Sequence, residues 1–152
     1  PTGAPGADGW YYYDSNKKIN YGFTGLAAND YGWWRIEKGK VNFAANSLFA
    51  NEYGWWKVDG GAVNFGYTGL APNEYGWWKI TNGAVDFGFT GLAPNDYGWW
   101  YCKNGGVDFS YTGIVSNPYG RWLVRNGGVD FGYTGTYRQN GNTYAIRGGQ
   151  VI

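Results

Sequence analysis

The stretch GWWKITNGAVDFGFTGLAPNDY, residues 76–97, decides the fold, because its pattern returns in phase every 22 residues. Gly32, Gly54, Gly76, Gly98 and Gly120 each open a GWW-like step, and each step is followed by a Val-Asn/Asp-Phe segment. Self-similarity at a short fixed period marks an array of supersecondary units, each burying its apolar face on its neighbours. Function is therefore expected in a repeated surface, not in one catalytic pocket.

Within the quoted unit, Asn82-Gly83 is the signature of a two-residue type I′ turn, since both central positions need positive φ. Counting outward from that turn pairs Ile80 with Val85, Lys79 with Asp86, Trp78 with Phe87 and Trp77 with Gly88. Side chains alternate across a strand, so Ile80, Val85, Trp78 and Phe87 are expected to form a core side and Lys79, Asp86, Trp77 and Gly88 an outer one. The sister units repeat the inner pairs as Trp34 with Phe43, Trp56 with Phe65, Trp100 with Phe109 and Trp122 with Phe131. The inner ring is Trp in all five strict units, whereas the outer position tolerates Arg121 and Thr143. A core demands its ring and a surface site can be lost, so the outer Trp33, Trp55, Trp77 and Trp99 are the candidate ligand contacts.

The fold expected from this register is all-β, a β-solenoid of stacked β-hairpins with one hairpin per 22-residue repeat. It forms a single array over residues 9–152, with units starting near residues 9, 32, 54, 76, 98, 120 and 142. The Pro/Gly-rich opening, residues 1–8, reads as a linker, and the lack of an initiator Met or signal peptide suggests a mature or excised fragment. Between hairpins run TGLAPNEY-like links, in which Pro72 and Pro94 are expected to prevent a regular strand. Tyr53, Tyr75 and Tyr97, like Tyr31 and Tyr119, end these links and are expected beside the outer Trp, or the Arg, that follows. Tyr67 and Tyr111 precede the Thr-Gly turn, where they either pack between units or line the same groove. The second unit reads FAANSLFANEY, with Ala45 and Phe49 as departures, so its groove should be altered.

Composition narrows the partners. Lys and Arg number 12 against 11 Asp and Glu, with no basic run, which argues against nucleic acid. No apolar stretch approaches spanning length, so membrane insertion is not expected. There is no His, the single Cys102 sits where sister units carry Val or Ile, and the carboxylates recur in equivalent environments. That inventory disfavours an enzyme and calls for no cofactor or metal, calcium included, since no Asp-rich loop of ligand spacing exists. Asp86 and Asp108, with Asn42 and Asn64 at the same place, either orient sugar hydroxyls or pair across the hairpin.

GWYYYDSNKKINYGFTG near the start, with the reiterated GWW, Gly-x-Val and Tyr-Thr-Gly steps, resembles the cell-wall-binding repeats of Gram-positive surface proteins, the group of choline-binding and glucan-binding modules. The likeness covers residues 9–152. It implies an extracellular module attached to a surface protein or wall-active enzyme, with aromatic ligand sites between consecutive repeats. The choline-binding pattern places a Trp after Thr-Gly, where this chain has Leu26, Leu70, Leu92, Ile114 and Thr136. That departure argues against choline itself and for a wall-associated glycan or its decoration, although choline stays among the partners the family implies. Two other readings stay open: a carbohydrate-binding module serving a glycoside hydrolase, and a spacer with no ligand.

Overall fold

The computed structural model describes residues 2–6 and 9–152, with side chains over 10–152. All regular structure among the described residues is antiparallel β. No helix there is long and apolar enough to cross a membrane. The chain divides into two compact units. One takes the chain up to Asn73 together with Ile80–Val85, and the other takes Glu74–Lys79 together with Asp86–Ile152.

Each repeat consists of three strands. In the second unit a link strand Gly91–Asn95 pairs with a long strand Gly98–Lys103, which pairs in turn with a short strand Gly106–Val107. The link register sets Leu92 opposite Tyr101, Ala93 opposite Trp100 and Pro94 opposite Trp99. The long strand also reaches forward, Trp100 pairing with Gly128 of the next repeat. In the first unit the same scheme runs through Gly25–Asn29, Gly32–Glu37 and Lys40–Val41, with Trp34 reaching Ala62 and Trp56 reaching Ala84. Each unit is thus a stack of hairpins joined by strand pairing one repeat onward, which is β-solenoid connectivity.

The expected type I′ turns form. Asn82 and Gly83 have φ of 49° and 86°, and Asn104 and Gly105 have 51° and 85°. The second glycine also answers a demand the turn alone does not make. A Cβ on Gly83 would lie 2.6 Å from the Asn64 carbonyl oxygen of the preceding repeat. Its N–H donates to the Tyr67 carbonyl at 2.9 Å, and its own carbonyl accepts from the Lys57 N–H at 2.7 Å. The turn glycine is therefore the seam between repeats.

The expected hairpin is correct near the turn and wrong beyond it. Ile80 faces Val85 and Thr81 faces Ala84, as counted. After Val85 the strand ends, and the Asp86 N–H makes a last bond to the Lys79 carbonyl before the chain turns at Phe87-Gly88. The main partner of the long strand is the link, which had been expected to be irregular. A ladder leaves alternate residues with their N–H turned away from the partner, and a proline is tolerated at such a place. Pro94 opposite Trp99 is accommodated in this way.

This changes the core. Ile36, Val58, Ile80, Cys102, Val124 and Ile146, one per repeat and 22 residues apart, are at most 2% exposed. Full burial of such side chains contributes about 1.5–3 kcal/mol each. Phe43, Phe65, Phe87, Phe109 and Phe131, expected inside, are about half exposed, because the chain has left the sheet where they stand. The opening stretch expected as a linker contributes a strand, Thr2–Gly6, against Gly9–Tyr12. Residues 1, 7 and 8 lie outside the described residues.

Candidate functional site

The site is built from an asparagine outward. Asn95 ends its link strand, and its Oδ1 accepts two bonds at 2.8 Å, from the Tyr97 N–H and from the Trp100 indole Nε1. One side chain thereby caps the turn and fixes the rotation of an indole. Asn117 does the same for Tyr119 and Trp122, both at 2.9 Å. In the first unit Asn29 and Asn51 hold Trp34 and Trp56. Against each fixed indole stands the phenylalanine that left the sheet, edge to face. Trp100 and Phe109 are 5.8 Å apart between centroids, and Trp122 and Phe131 are 5.9 Å apart.

The preceding repeat supplies the remaining wall. Trp77 meets Tyr97 edge-on at 6.3 Å, Trp99 meets Tyr119 at 6.2 Å, and Trp33 meets Tyr53 at 6.5 Å. Two cavities of about 290 Å³ result in the second unit. One is lined by Trp77, Asn95, Tyr97, Trp100, Val107 and Phe109, the other by Trp99, Asn117, Tyr119, Trp122, Phe131 and neighbours including Leu92. Each is an aromatic cage contributed by two consecutive repeats.

Two expectations about this arrangement need correction. The link tyrosine packs on the Trp of the preceding repeat, Tyr97 on Trp77, and not on the Trp two residues after it, because stacking offsets the strands by one repeat. The tryptophans expected as core, Trp34, Trp56, Trp78, Trp100 and Trp122, are half-buried like the outer ones, and Trp100 and Trp122 line the cavities. The outer Trp33 in turn packs against the Leu26, Ala45, Val58 and Val63 cluster. In the repeats that carry two indoles neither face of the long strand is exposed at the indoles, so alternation sorts them by direction without sorting them by burial.

The other candidates line neither of these two cavities. Trp55 is half-buried opposite Ala50, and Tyr75 is exposed. The Tyr67 hydroxyl donates to the Leu70 carbonyl at 2.5 Å, with the Lys57 ammonium 5.1 Å over its ring. Tyr111 stacks on Tyr101 at 4.2 Å, and burial followed by the neighbouring phenol raises its pKa. Asp86 accepts from the Gly88 N–H at 3.1 Å. Asp108 accepts from the Ser110 N–H and hydroxyl, and the hydroxyl bond holds its pKa below the usual value. These carboxylates cap the turn that ends each short strand. Tyr67, Tyr111, Asp86 and Asp108 line neither cavity.

The sequence reading missed Asn95, Asn117, Phe109 and Phe131 as lining groups. A signal existed: an Asn stands five residues before the inner Trp in all five strict units. The cage chemistry follows from its lining, which carries no carboxylate, ammonium or guanidinium. Its one amide oxygen is already engaged twice, so the site offers aromatic faces and few directed hydrogen bonds. Such a surface suits a cation that needs no hydrogen bond, attracted by ring quadrupoles at about 0.5–2 kcal/mol per ring. For a sugar these walls present only a tyrosine hydroxyl and the asparagine amide N–H groups as directed polar contacts. Cys102 adds no nucleophile. Burial pushes its thiol pKa up to about 11, only partly offset by Lys79.

A family model described as a choline-binding repeat matches residues 22–42, 66–86, 88–108 and 110–130, more than half of the chain. No curated protein matches in sequence. Among solved structures, the crystal structure of CbpF in complex with ipratropium, obtained by soaking, is similar at 20% identity with a TM-score of 0.38. The likeness covers 94% of this chain and 42% of that one.

Proposed function

The chain belongs to the choline-binding repeat family, and from that premise we propose that it is a non-catalytic module which holds a parent protein on a bacterial surface by seating the trimethylammonium of wall-borne choline in its aromatic cages. The observation that carries this reading is the charge-free lining of the two cavities in the second unit. Trp, Tyr, Trp and Phe surround a space whose only amide oxygen is already used, as suits a quaternary cation better than a sugar ring. The residue after Thr-Gly lines one cavity as Leu92, so the Trp absent there removes one wall and leaves four rings. Each site is weak alone, and repetition in one chain converts weak sites into strong attachment to a polymer that displays many choline groups.

Titration of tryptophan fluorescence with choline, tetramethylammonium and neutral wall oligosaccharides tests it. Saturable quenching by the two quaternary ammonium ions, with none by the oligosaccharides, is the expected result. A response to the oligosaccharides and none to choline would sink the proposal and restore the glycan reading.

A further inference from the structure

The first strict repeat carries an open, charged groove. It has a volume of about 760 Å³ and is lined by Thr24, Arg35, Glu37, Lys38, Lys40, Asn42, Phe43 and Val41. Its charges are not equivalent. Glu37 accepts from Arg35 Nε at 3.4 Å and from Asn42 Nδ2 at 3.1 Å, while the Arg35 guanidinium also covers the Phe49 ring at 4.1 Å. That carboxylate and that guanidinium neutralise each other. Lys38 and Lys40 are exposed and give the groove a net positive charge, the Lys40 ammonium resting only loosely 5.9 Å from the Tyr11 ring.

The sister repeats show that these lysines are not a requirement of the fold. At the place of Lys38 the five later repeats have Gly60, Asn82, Asn104, Asn126 and Gly148, and at the place of Lys40 they have Ala62, Ala84, Gly106, Gly128 and Gln150, while the unit before carries Lys18 at the latter place. Lys38 sits at φ 51°, a left-handed conformation that glycine and asparagine adopt more readily. Beside it the half-exposed Phe43 ring offers a flat apolar platform, with Asn42 and Glu37 at its edge.

We propose that this groove binds an anionic saccharide. The acid group would meet the Lys38 and Lys40 ammonium groups, and the apolar face of the sugar ring would lie on Phe43. The site does not rest on the choline reading; it shares one ring with the cage scheme, since Phe43 stands edge to face with Trp34 as Phe109 does with Trp100.

The test compares retention of the intact chain on immobilised polygalacturonate, poly(glycerol phosphate) and neutral dextran, in wild type and variants. Wild type should be held by polygalacturonate, more weakly by the ring-free poly(glycerol phosphate), and not by dextran, with retention falling as salt rises. Lys38→Asn with Lys40→Ala installs the sister residues, so thermal stability should be equal or higher while affinity for polygalacturonate falls about tenfold or more. Lys17→Asn with Lys18→Ala removes the same charge outside the groove and should leave retention unchanged. Phe43→Leu should weaken polygalacturonate retention alone. No retention above dextran, equal loss in the Lys17/Lys18 control, or indifference to both Phe43→Leu and the sugar ring would overturn the proposal.

Discussion

The interval between Trp99 and Trp122 and the one after it, between Arg121 and Tyr144, share one backbone register and differ in chemistry. In both, a link strand pairs with a long strand in the same way, Val115 opposite Trp122 and Tyr137 opposite Tyr144. In the first, Trp99, Tyr119, Trp122 and Phe131 enclose a cavity. In the second, a guanidinium replaces the outer indole and stands 5.5 Å from the Tyr144 ring, while Gln139 and Gly141 occupy the places of Asn117 and Tyr119. The Gln139 side chain accepts from the Ile114 N–H at 2.7 Å and Gln150 donates to the Tyr119 carbonyl, tying the repeats together by other means. The fold therefore tolerates loss of the cage. What makes a cage is a set of four rings from two repeats, and a chain that changes them turns an aromatic cavity into a structural joint.

The most damaging way to break the contrast is to separate the repeats that share the cavity. Gly127 has φ 86°, and a Cβ there would lie 2.7 Å from the Asp108 carbonyl oxygen. Gly127→Ala should cost about 3 kcal/mol or more, read by denaturant unfolding, and should abolish choline quenching in the same interval. Trp122→Ala comes next. It removes a half-buried indole and its bond to Asn117, with an expected cost of about 2–3 kcal/mol, below the usual range for a fully buried ring. Equal stability in Trp122→Ala and wild type would show that the ring is no part of the packing.

Asn117→Ala leaves every ring present but releases two of them. Loss of a part-buried acceptor of two bonds should cost about 1–2 kcal/mol, and choline affinity should fall because the indole is no longer oriented. Trp99→Arg copies the next interval into this one. Its effect on stability should be about 1 kcal/mol or less, while choline binding drops by one site in calorimetry. Retained stoichiometry would mean that the outer indole is not a wall. The smallest effect concerns Cys102. With its pKa pushed up to about 11 by burial, it should resist iodoacetamide at pH 8 in the native protein and react once unfolded.

How much of this was legible can be judged from particular residues. Asn82-Gly83 announced its turn because the positive φ of both positions is a local property of those two residues. The face shared by Trp100 and Cys102 followed from alternation, another local rule. The partner of Trp99 was not legible, since Tyr119 lies in the next repeat and reaches it only through the one-repeat offset of strand pairing. Pro94 misled for a related reason. Its missing N–H excludes it from a strand only when that N–H faces a partner, and the facing direction depends on pairing.

The amino-acid sequence by itself determined the 22-residue period, the all-β class, the inner turn and the residue at the centre of each repeat, because these depend on neighbours along the chain. Tertiary structure alone decided that links become strands, that phenylalanines emerge beside indoles, and that two repeats close around one cavity. Those outcomes depend on hydrogen bonds between residues a repeat apart.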